Sequence, residues 1–197
     1  MDCSDVCPPF DVLPRCAQLQ SNRSRQDISS VVVHRIEVSQ EDPSFCDTPE
    51  DVERFFCEHP VGVKATGGAM PYALLISTDG RITQSAPLCR ITPHAAFHNP
   101  KSIGVGCLGD FRHAPPSGDQ GYALELLCAF LLRELDLGIG GLHGHDELTG
   151  GSREIDKVCP GVHLPMGDLR SKVAVRLIDG LVVRFPAVFE TEPSSTL

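Results

Sequence analysis

Two histidines and one cysteine are the residues of this chain best suited to catalytic chemistry. His34 follows a run of three valines, His145 precedes an Asp-Glu pair, and Cys159 stands within Lys-Val-Cys-Pro-Gly. Two imidazoles and one thiolate form a three-ligand set for Zn²⁺, which leaves one coordination position for water or substrate. Structural zinc sites instead fill all four positions with protein atoms. If these three side chains meet in space, we expect a metal-assisted hydrolase with one zinc ion per chain.

The residue types alone leave other interpretations open. A histidine near a strand end is most often a structural or surface residue, and a buried cysteine most often behaves as a small hydrophobic side chain. His143 and His145 are separated by one residue, so an extended segment would point both the same way, and composition does not choose between them. Cys159 and His145 could also form a nucleophilic pair that needs no metal.

Composition bounds the class of protein and of partner. The chain has 197 residues, of which 41% are hydrophobic and 22% charged, as expected for one globular domain. Its formal net charge of −9 argues against nucleic acid or an anionic membrane as an electrostatic partner. No apolar run approaches the roughly 20 residues that cross a bilayer, so we expect no membrane insertion. We also expect a monomer.

The N-terminal segment and the cysteines bear on localisation. The first residues lack the basic region and the apolar stretch of a secretory signal peptide. We therefore expect a cytoplasmic protein, or one that reaches its substrate by a signal-independent route such as phage lysis or a secretion machine. Nine cysteines, an odd number in a chain that can build its own core, predict free thiols in a reducing compartment. A metal or disulfide cluster of Cys3, Cys7 and Cys16 is the alternative.

Hydrophobic periodicity and turn residues predict the elements that must position the site. Residues 1–27 read as an irregular arm. Strands are predicted at 28–33, ending at His34, at 72–77, at 81–84 after a Thr-Asp-Gly turn, and at 102–108, where glycines would let another backbone approach closely. Helices are predicted from Pro49, at 120–135 and at 165–178. Their uneven alternation predicts a single α/β domain at 28–180, with a central mixed sheet flanked by helices and a loose C-terminal tail at 181–197.

Five short segments follow one another in a distinctive order between residues 28 and 170. They are the strand that ends at His34, the run Pro-Tyr-Ala-Leu-Leu-Ile-Ser-Thr-Asp-Gly, the stretch from Pro-His-Ala through Asn99 to Ser-Ile-Gly-Val, then Gly-His-Asp-Glu-Leu and Lys-Val-Cys-Pro-Gly. In this order the segments resemble the zinc-dependent N-acetylmuramoyl-L-alanine amidases, a family that includes amidase-type phage lysozymes and peptidoglycan recognition proteins. The resemblance implies the amidase fold and, as partner, peptidoglycan or a muropeptide.

The resemblance also implies roles for individual residues. It implies zinc ligands at His34, His145 and Cys159, and it places Tyr72 and Lys157 beside the metal as catalytic residues. The Gly-His-Asp-Glu-Leu match selects His145 rather than the neighbouring histidine as the ligand.

Other residues are implied as substrate contacts. His94 and Asn99 would line a glycan-peptide cleft, and His94 would also face the metal. His143 would line the same cleft or support the metal from behind a ligand. Arg35 would contact a substrate carboxylate or only solvent.

Several remaining residues have weaker assignments. Asp110 and Glu147 could support the metal ligands indirectly. The other histidines, which are His59, His98, His113 and His163, read as ordinary surface or structural residues. The segment at 146–158 is longer than the family pattern, which predicts an extra loop at 149–152 near the metal.

The expected reaction follows from the open zinc position. A zinc-bound water has a pKa of about 7, and Lys157 and Tyr72 would stabilise the oxyanion or deliver a proton to the leaving amine. We therefore expect hydrolysis of the amide between N-acetylmuramic acid and L-alanine. The alternatives are a peptidoglycan-binding module without catalysis, the metal-free Cys–His hydrolase, and a zinc site that serves folding only. The biological role, as endolysin, recycling enzyme or delivered effector, stays open.

Overall fold

The computed structural model describes residues 11–12, 22–37, 48–150 and 158–178. The predictions for Lys157, for the N-terminal cysteines and for the C-terminal tail fall outside these ranges. The second half of the loop predicted at 149–152 also falls outside them.

Six strands in the described residues form one mixed sheet. They are β1 (Asp11–Val12), β2 (Ser30–Ile36), β3 (Leu74–Ile76), β4 (Ile82–Gln84), β5 (Ser102–Leu108) and β6 (Leu142–Gly144). Their order across the sheet is β1-β4-β3-β5-β2-β6. β3 and β4 run antiparallel, and the other neighbouring strands run parallel. The predicted α/β fold with a central mixed sheet is therefore confirmed.

Within the described ranges, five α-helices accompany this sheet. They are α1 (Pro49–Glu58), α2 (Pro60–Thr66), α3 (Gly118–Glu134), α4 (His145–Leu148) and α5 (Met166–Ile178). The side chains of Thr48 and Ser117 cap α1 and α3 by accepting hydrogen bonds from backbone N–H groups of the first turn. Helix α2 was not predicted, although Pro60 suits its first position, where no backbone N–H is needed. No helix within the described ranges is long and apolar enough to span a bilayer.

The two central strands fix the position of His34. β2 and β5 pair along all seven residues of each strand, with His34 opposite Gly106. The prediction that the strand ends at His34 is wrong, because the ladder continues for two residues and Ile36 is buried at its end. His34 therefore projects from the interior of a paired strand, which holds its backbone more firmly than a strand end would.

The two faces of the sheet carry different layers. Helices α3 and α5 cover one face with a large apolar core, and α1 contributes to a smaller core on the other face. Successive strand side chains alternate between the faces, so Leu74 and Ile76 join the larger core and Leu75 the smaller one. Ile36 also belongs to the smaller core. His34, two residues earlier in β2, therefore projects from the same face as Ile36, the face of α1.

The N-terminal arm is less irregular than predicted. β1 pairs with β4, and Arg25–Asp27 forms a 3-10 turn. Arg23 is buried, and its guanidinium donates hydrogen bonds to the backbone carbonyls of Leu88, Asn99 and Ser102. A buried guanidinium needs such acceptors to offset the loss of water. Where it is described, the arm is therefore anchored to the loop that precedes β5.

The cysteines correct one part of the redox prediction. Cys89, Cys107, Cys128 and Cys159 are free thiols, as expected. Cys57 is in a disulfide, so the prediction of free thiols is wrong at that position. Disulfides persist mainly in oxidising compartments, and the cysteine count alone therefore did not establish a reducing one.

Candidate metal centre

His34, His145 and Cys159 converge in space, although they are far apart in sequence. One ligand atom from each lies within 4.8 Å of the others. The Cys159 Sγ lies 3.9 Å from His34 Nδ1, and the centroids of the two imidazole rings are 4.6 Å apart. Zinc–nitrogen and zinc–sulfur bonds of about 2.0–2.3 Å place tetrahedral ligands roughly 3–4 Å from one another. The three donors therefore have the types and nearly the spacing that one zinc ion requires.

The end of β6 separates the two candidate histidines of the Gly-His-Asp-Glu-Leu region. His143 lies in β6 and is only partly buried, whereas His145 is the first residue of α4. The chain changes from extended to helical between them, so they do not share the common direction that an extended segment would give. Among the described residues, the group of converging donors contains His145 and not His143.

A short cap fixes the start of α4. The Glu147 side chain accepts a hydrogen bond of 2.9 Å from the backbone N–H of Gly144. Glu147 also pairs with Arg170, whose Nε donates to the Leu142 carbonyl at 2.9 Å. These contacts hold the backbone on the N-terminal side of His145, and the indirect support of a metal ligand by Glu147 remains a prediction.

The segment that carries Cys159 is fixed by backbone contacts. The Cys159 carbonyl accepts a hydrogen bond of 3.0 Å from the N–H of Asp146, which joins it to the start of α4. Gly161 has a φ of 140°, and a Cβ atom there would lie 2.4 Å from the carbonyl carbon of Phe111. Only glycine fits this approach without displacing the backbone. The Cys-Pro-Gly segment is therefore held against both α4 and the loop after β5.

Arg35 contributes to the same support. Its guanidinium donates to the carbonyl of Val158, the residue before Cys159, and its Nε lies 3.9 Å from Asp110 Oδ1. Asp110 is in turn bound by Arg112 at 2.7 Å, and this hydrogen bond lowers the pKa of the Asp110 carboxyl group. The Arg35 side chain is only 11% exposed. The interpretation of Arg35 as a solvated cation is therefore wrong, because it lies between the Cys159 segment and a carboxylate.

A hydrogen-bonded series extends behind His34. His34 Nε2 lies 3.1 Å from His94 Nδ1, and His94 Nε2 lies 3.1 Å from Ser102 Oγ and 3.3 Å from the Ser102 carbonyl oxygen. The Ser102 hydroxyl donates to the His98 carbonyl at 2.7 Å. With both imidazoles neutral, a single set of tautomers satisfies every contact: His34 donates to His94, and His94 donates to Ser102. The lone pair of His34 Nδ1 then faces Cys159, as a metal ligand requires.

His94 therefore lies behind a ligand. It is 7% exposed, and its imidazole is hydrogen-bonded to His34 and Ser102. Gly104 makes room for it, because a Cβ atom there would lie 2.7 Å from His94 Cγ. The predicted close approach at the glycines of β5 is thus made by side chains and not by another backbone.

Burial sets the protonation of the imidazoles. Burial lowers the pKa of His34 well below its ordinary value, and it lowers the pKa of His94 to about 4. Burial is also the main cause of the lowered pKa of His145. The imidazoles are therefore neutral at pH 7, which is the form that binds a metal.

Cys159 differs from a metal-free nucleophile. Burial raises the pKa of its thiol, although hydrogen bonding and the charge of Arg35 act in the opposite direction. A nucleophilic Cys–His pair depends on a lowered thiol pKa and a nearby imidazolium. The raised pKa of Cys159 and the lowered pKa of His145 are opposite to that requirement. A cation at this position would favour the thiolate.

Tyr72 stands beside the three donors. Its ring centroid is 5.1 Å from that of His34, and a Cβ atom at Gly106 would lie 2.9 Å from Tyr72 Cγ. Burial, followed by the charge of Cys159, raises the pKa of the Tyr72 hydroxyl above its ordinary value. Tyr72 therefore remains a protonated donor at neutral pH next to the candidate metal position.

His98 and Asn99 are neighbours in the loop before β5, close to the residues of the candidate metal centre. His98 was read from sequence as an ordinary histidine. Burial is the main cause of the lowered pKa values of His94, His143 and His145, and a smaller electrostatic interaction with His98 lowers them further. Asn99 Oδ1 accepts a hydrogen bond of 2.6 Å from the backbone N–H of Ala95. Asn99 thus holds the loop, and its predicted substrate contact remains a prediction. His98 directly precedes Asn99 in a turn-rich stretch, and this position was the sequence signal that could have identified His98 as a residue near the site.

Comparison with known proteins provides a family and a set of fold relatives. The sequence model of the family described as N-acetylmuramoyl-L-alanine amidase matches residues 24–162, more than half of the chain. No curated protein matches the sequence.

Solved structures share the fold at low sequence identity. The N-acetylmuramoyl-L-alanine amidase LysC from Clostridium intestinale URNW is 18% identical, with a TM-score of 0.64 over 85% of this chain and 99% of that chain. The Ph2119 endolysin from the Thermus scotoductus MAT2119 bacteriophage is 23% identical, with a TM-score of 0.55 over 80% and 89%. A Drosophila PGRP-LB mutant in complex with tracheal cytotoxin is 20% identical, with a TM-score of 0.53 over 85% and 90%.

Proposed function

Because the chain belongs to the N-acetylmuramoyl-L-alanine amidase family, we propose that it hydrolyses the amide bond between N-acetylmuramic acid and L-alanine in peptidoglycan or muropeptides. The observation that carries this proposal is the convergence of His34, His145 and Cys159 within 4.8 Å. All three residues lie inside the part of the chain that matches the family.

The donor set fits Zn²⁺. Two neutral imidazoles and one thiol are the ligand types that zinc prefers, and three protein ligands leave a coordination position for substrate. Held by His34, His145 and Cys159, the ion would polarise the amide carbonyl and provide a nucleophilic water at neutral pH. The proposal assigns one ion to each chain.

Tyr72 and Lys157 are proposed to act on the transition state. The raised pKa of Tyr72 keeps its proton on the hydroxyl, which can donate a hydrogen bond to the developing oxyanion or a proton to the departing amine. Lys157 is two residues before Cys159 in sequence, and its ammonium would offset negative charge on the same oxygen. Both side chains would act as donors placed before the reaction begins.

The surrounding residues are proposed to hold the ligands in place. His94 and Ser102 fix the tautomer and the ring orientation of His34, and Arg35 fixes the carbonyl next to Cys159. Such supporting contacts typically change metal affinity by about 10–100-fold when removed. The ligand set would therefore depend on residues that never touch the ion.

Binding without hydrolysis is the second candidate function. A PGRP-LB mutant that shares the fold is recorded in complex with tracheal cytotoxin, so the same architecture serves as a ligand-binding surface in that protein. For this chain, the presence of Cys159 among the three donors favours hydrolysis, because a thiolate completes the metal ligand set.

The decisive experiment combines a product assay with control of the metal. The chain is stripped with a chelator, reloaded with Zn²⁺, and incubated with purified peptidoglycan, and the released fragments are identified by mass spectrometry. We expect new L-alanine amino termini and intact glycan strands, and we expect them only with the zinc-loaded chain and not with the metal-free chain. Full activity without metal would favour the Cys–His hydrolase, and retention of peptidoglycan without cleavage would favour the binding module. New reducing sugar ends would overturn the amidase proposal, since glycosidic cleavage ordinarily uses paired carboxylates.

A further inference from the structure

Arg23 is a buried cation in a segment whose sequence indicated only an irregular arm. It is 7% exposed, and it stands one residue before the part of the chain that matches the family. A guanidinium keeps its charge at any ordinary pH, so burying it is costly unless hydrogen-bond acceptors replace the water that it loses. The family resemblance gives Arg23 no role, and the reason for its burial lies in what it contacts.

The Arg23 guanidinium binds backbone carbonyls from separate places in the chain. Its Nε and Nη2 each lie 3.1 Å from the carbonyl oxygen of Leu88. Its Nη1 lies 2.6 Å from the carbonyl oxygen of Asn99 and 2.5 Å from that of Ser102. Because the N–H groups of a guanidinium form a rigid planar fork, these carbonyl groups are held in one fixed arrangement.

The carbonyl of Ser102 joins Arg23 to the candidate metal centre. The same oxygen lies 3.3 Å from His94 Nε2, and His94 Nδ1 lies 3.1 Å from His34 Nε2. A carbonyl oxygen has two lone pairs and can accept from both Arg23 and His94. Arg23 is therefore the far end of a series of four residues that begins at a candidate metal ligand.

The Ser102 carbonyl favours one of two tautomers of the His34–His94 pair. With the carbonyl as acceptor, His94 donates from Nε2 and accepts at Nδ1, so His34 carries its proton on Nε2 and presents Nδ1 to Cys159. Without the carbonyl, His94 Nε2 keeps Ser102 Oγ, a group that can donate as well as accept. When the hydroxyl donates, the protons of both imidazoles move to Nδ1. The His34 nitrogen that faces Cys159 is then protonated and closed to a metal.

We propose that Arg23 is a positioning residue for the metal ligand His34, because it fixes the Ser102 carbonyl that selects the metal-binding tautomer. The inference rests on the metal centre of the proposed function and extends its support to a residue outside the matched segment. Arg23 suits this role because a guanidinium only donates hydrogen bonds. It can therefore hold the carbonyl without offering His94 an acceptor of its own.

The first test determines the tautomers in the metal-free protein. Two-bond nitrogen–proton correlation spectra of ¹⁵N-labelled histidine distinguish a proton on Nδ1 from a proton on Nε2. In the wild type, we expect His34 and His94 each in a single tautomer with the proton on Nε2. Arg23→Met should show both tautomers of His94. Arg23→Lys, which keeps the charge without the planar fork, should lie between the two proteins.

A matched control separates this effect from a general loss of stability. Arg176 is also a partly buried guanidinium, but it lies on α5 and contacts Glu125 on α3 at 3.2 Å. Arg176→Met removes this ion pair on the face of the sheet opposite His34. Its histidine spectra and its zinc affinity should therefore equal those of the wild type.

The second test measures zinc affinity in a double-mutant cycle. In competition with a chelator of known affinity, Arg23→Met should bind zinc about tenfold more weakly than the wild type, as expected when a contact behind a ligand is removed. In the His94→Ala background, the same substitution should change zinc affinity by less than about twofold, because the residue through which Arg23 acts is absent. If Arg23→Met does not fold, Arg23→Lys takes its place in the cycle, with a smaller loss expected.

The outcomes separate this inference from the proposed function. Equal losses of zinc affinity in both backgrounds would overturn the role of Arg23, and so would a single Nε2-protonated tautomer of His94 in Arg23→Met. If the wild type binds no zinc, the metal centre of the proposed function fails, and the spectra of the metal-free protein decide the role of Arg23 alone. If zinc binds but peptidoglycan is not cleaved, the amidase proposal fails, and both tests still decide the role of Arg23.

Discussion

His34 Nε2 and His94 Nδ1 lie 3.1 Å apart, and this contact determines which nitrogen of His34 faces Cys159. One proton occupies the contact, and the hydroxyl and carbonyl of Ser102 accept the proton on the other nitrogen of His94. A metal site built on such an arrangement depends on the neutral state and the orientation of both rings.

Replacing His94 should weaken zinc binding although His94 is not a ligand. His94→Ala removes the acceptor for His34, and we expect zinc affinity to fall by about 10–100-fold, measured by competition with a chelator of known affinity. His94→Gln should restore part of it, because its amide can accept from His34 and donate to Ser102. His163→Ala, at an exposed position, is the control. Unchanged affinity in His94→Ala would contradict the supporting role of this contact.

The metal-free protein should lose stability in mild acid. Burial lowers the pKa of His94 from 6.5 to about 4, so between these values the unfolded chain binds a proton that the folded chain does not. The free energy of unfolding should therefore fall as pH decreases from 6.5, by about 1.4 kcal/mol per pH unit for each such proton. His34, whose pKa is also lowered, acts in the same direction. The free energy of unfolding is measured with urea at several pH values for the wild type and for His94→Gln. Its change per pH unit should be smaller in His94→Gln by the amount that one proton contributes. An equal change in both proteins would refute this account.

Loss of the individual ligands should separate the two histidines around Gly144. His34→Ala, His145→Ala and Cys159→Ala should each abolish stoichiometric zinc and activity, whereas His143→Ala should keep about one zinc per chain. We expect this difference because the converging metal-ligand atoms belong to His34, His145 and Cys159 and not to His143. Metal content by mass spectrometry or atomic absorption provides the measurement. Zinc retained in His145→Ala but lost in His143→Ala would reverse the assignment.

The two proposed catalytic residues should affect turnover and not metal content. Losing one preorganised donor costs about 10²–10³ in kcat, so Tyr72→Phe and Lys157→Met should bind zinc normally while kcat falls steeply. KM should change little, because these donors act on charge that develops in the transition state. Steady-state kinetics and zinc content are measured on the same preparations. Near wild-type turnover in both variants would exclude the proposed mechanism and leave the ligand set standing.

Arg35 should matter for Cys159 more than for substrate. Arg35→Met keeps much of the side-chain volume but removes the donor to the Val158 carbonyl and the partner of Asp110. We expect a loss of zinc affinity and a destabilisation of about 1–3 kcal/mol, because a partly buried carbonyl and a partly buried carboxylate each lose one partner. Substrate KM in the fully zinc-loaded variant should stay close to the wild-type value. A raised KM with normal zinc affinity would instead support contact with a substrate carboxylate.

The chemistry of the ligands was readable in the sequence because it depends on residue type. Two imidazoles and a thiol specify a class of metal wherever they meet, and hydrophobic periodicity specified the strand of His34 and the helices α3 and α5. The choice of His145 as the ligand rested on the Gly-His-Asp-Glu-Leu motif, because the spacing of the residues would have fitted His143 equally well. The structure separates the two through the end of β6 at Gly144.

The supporting contacts could not be read from the sequence because they join residues that are distant along the chain. His94 was expected to line a substrate cleft and face the metal, and Arg35 to contact a substrate carboxylate or solvent. Instead, His94 is hydrogen-bonded to the ligand His34, and the largely buried Arg35 donates to the carbonyl next to Cys159. Gly104 makes room for His94 and Gly106 for Tyr72, although the sequence only marked both glycines as places of close approach. The sequence by itself thus determined which residue types can bind a metal and the strand that carries His34, but not the short helix α4 that begins with His145. Only the tertiary structure decided which nitrogen of His34 faces the site and which side chains hold it there, because these depend on distances between separate elements that no local pattern records.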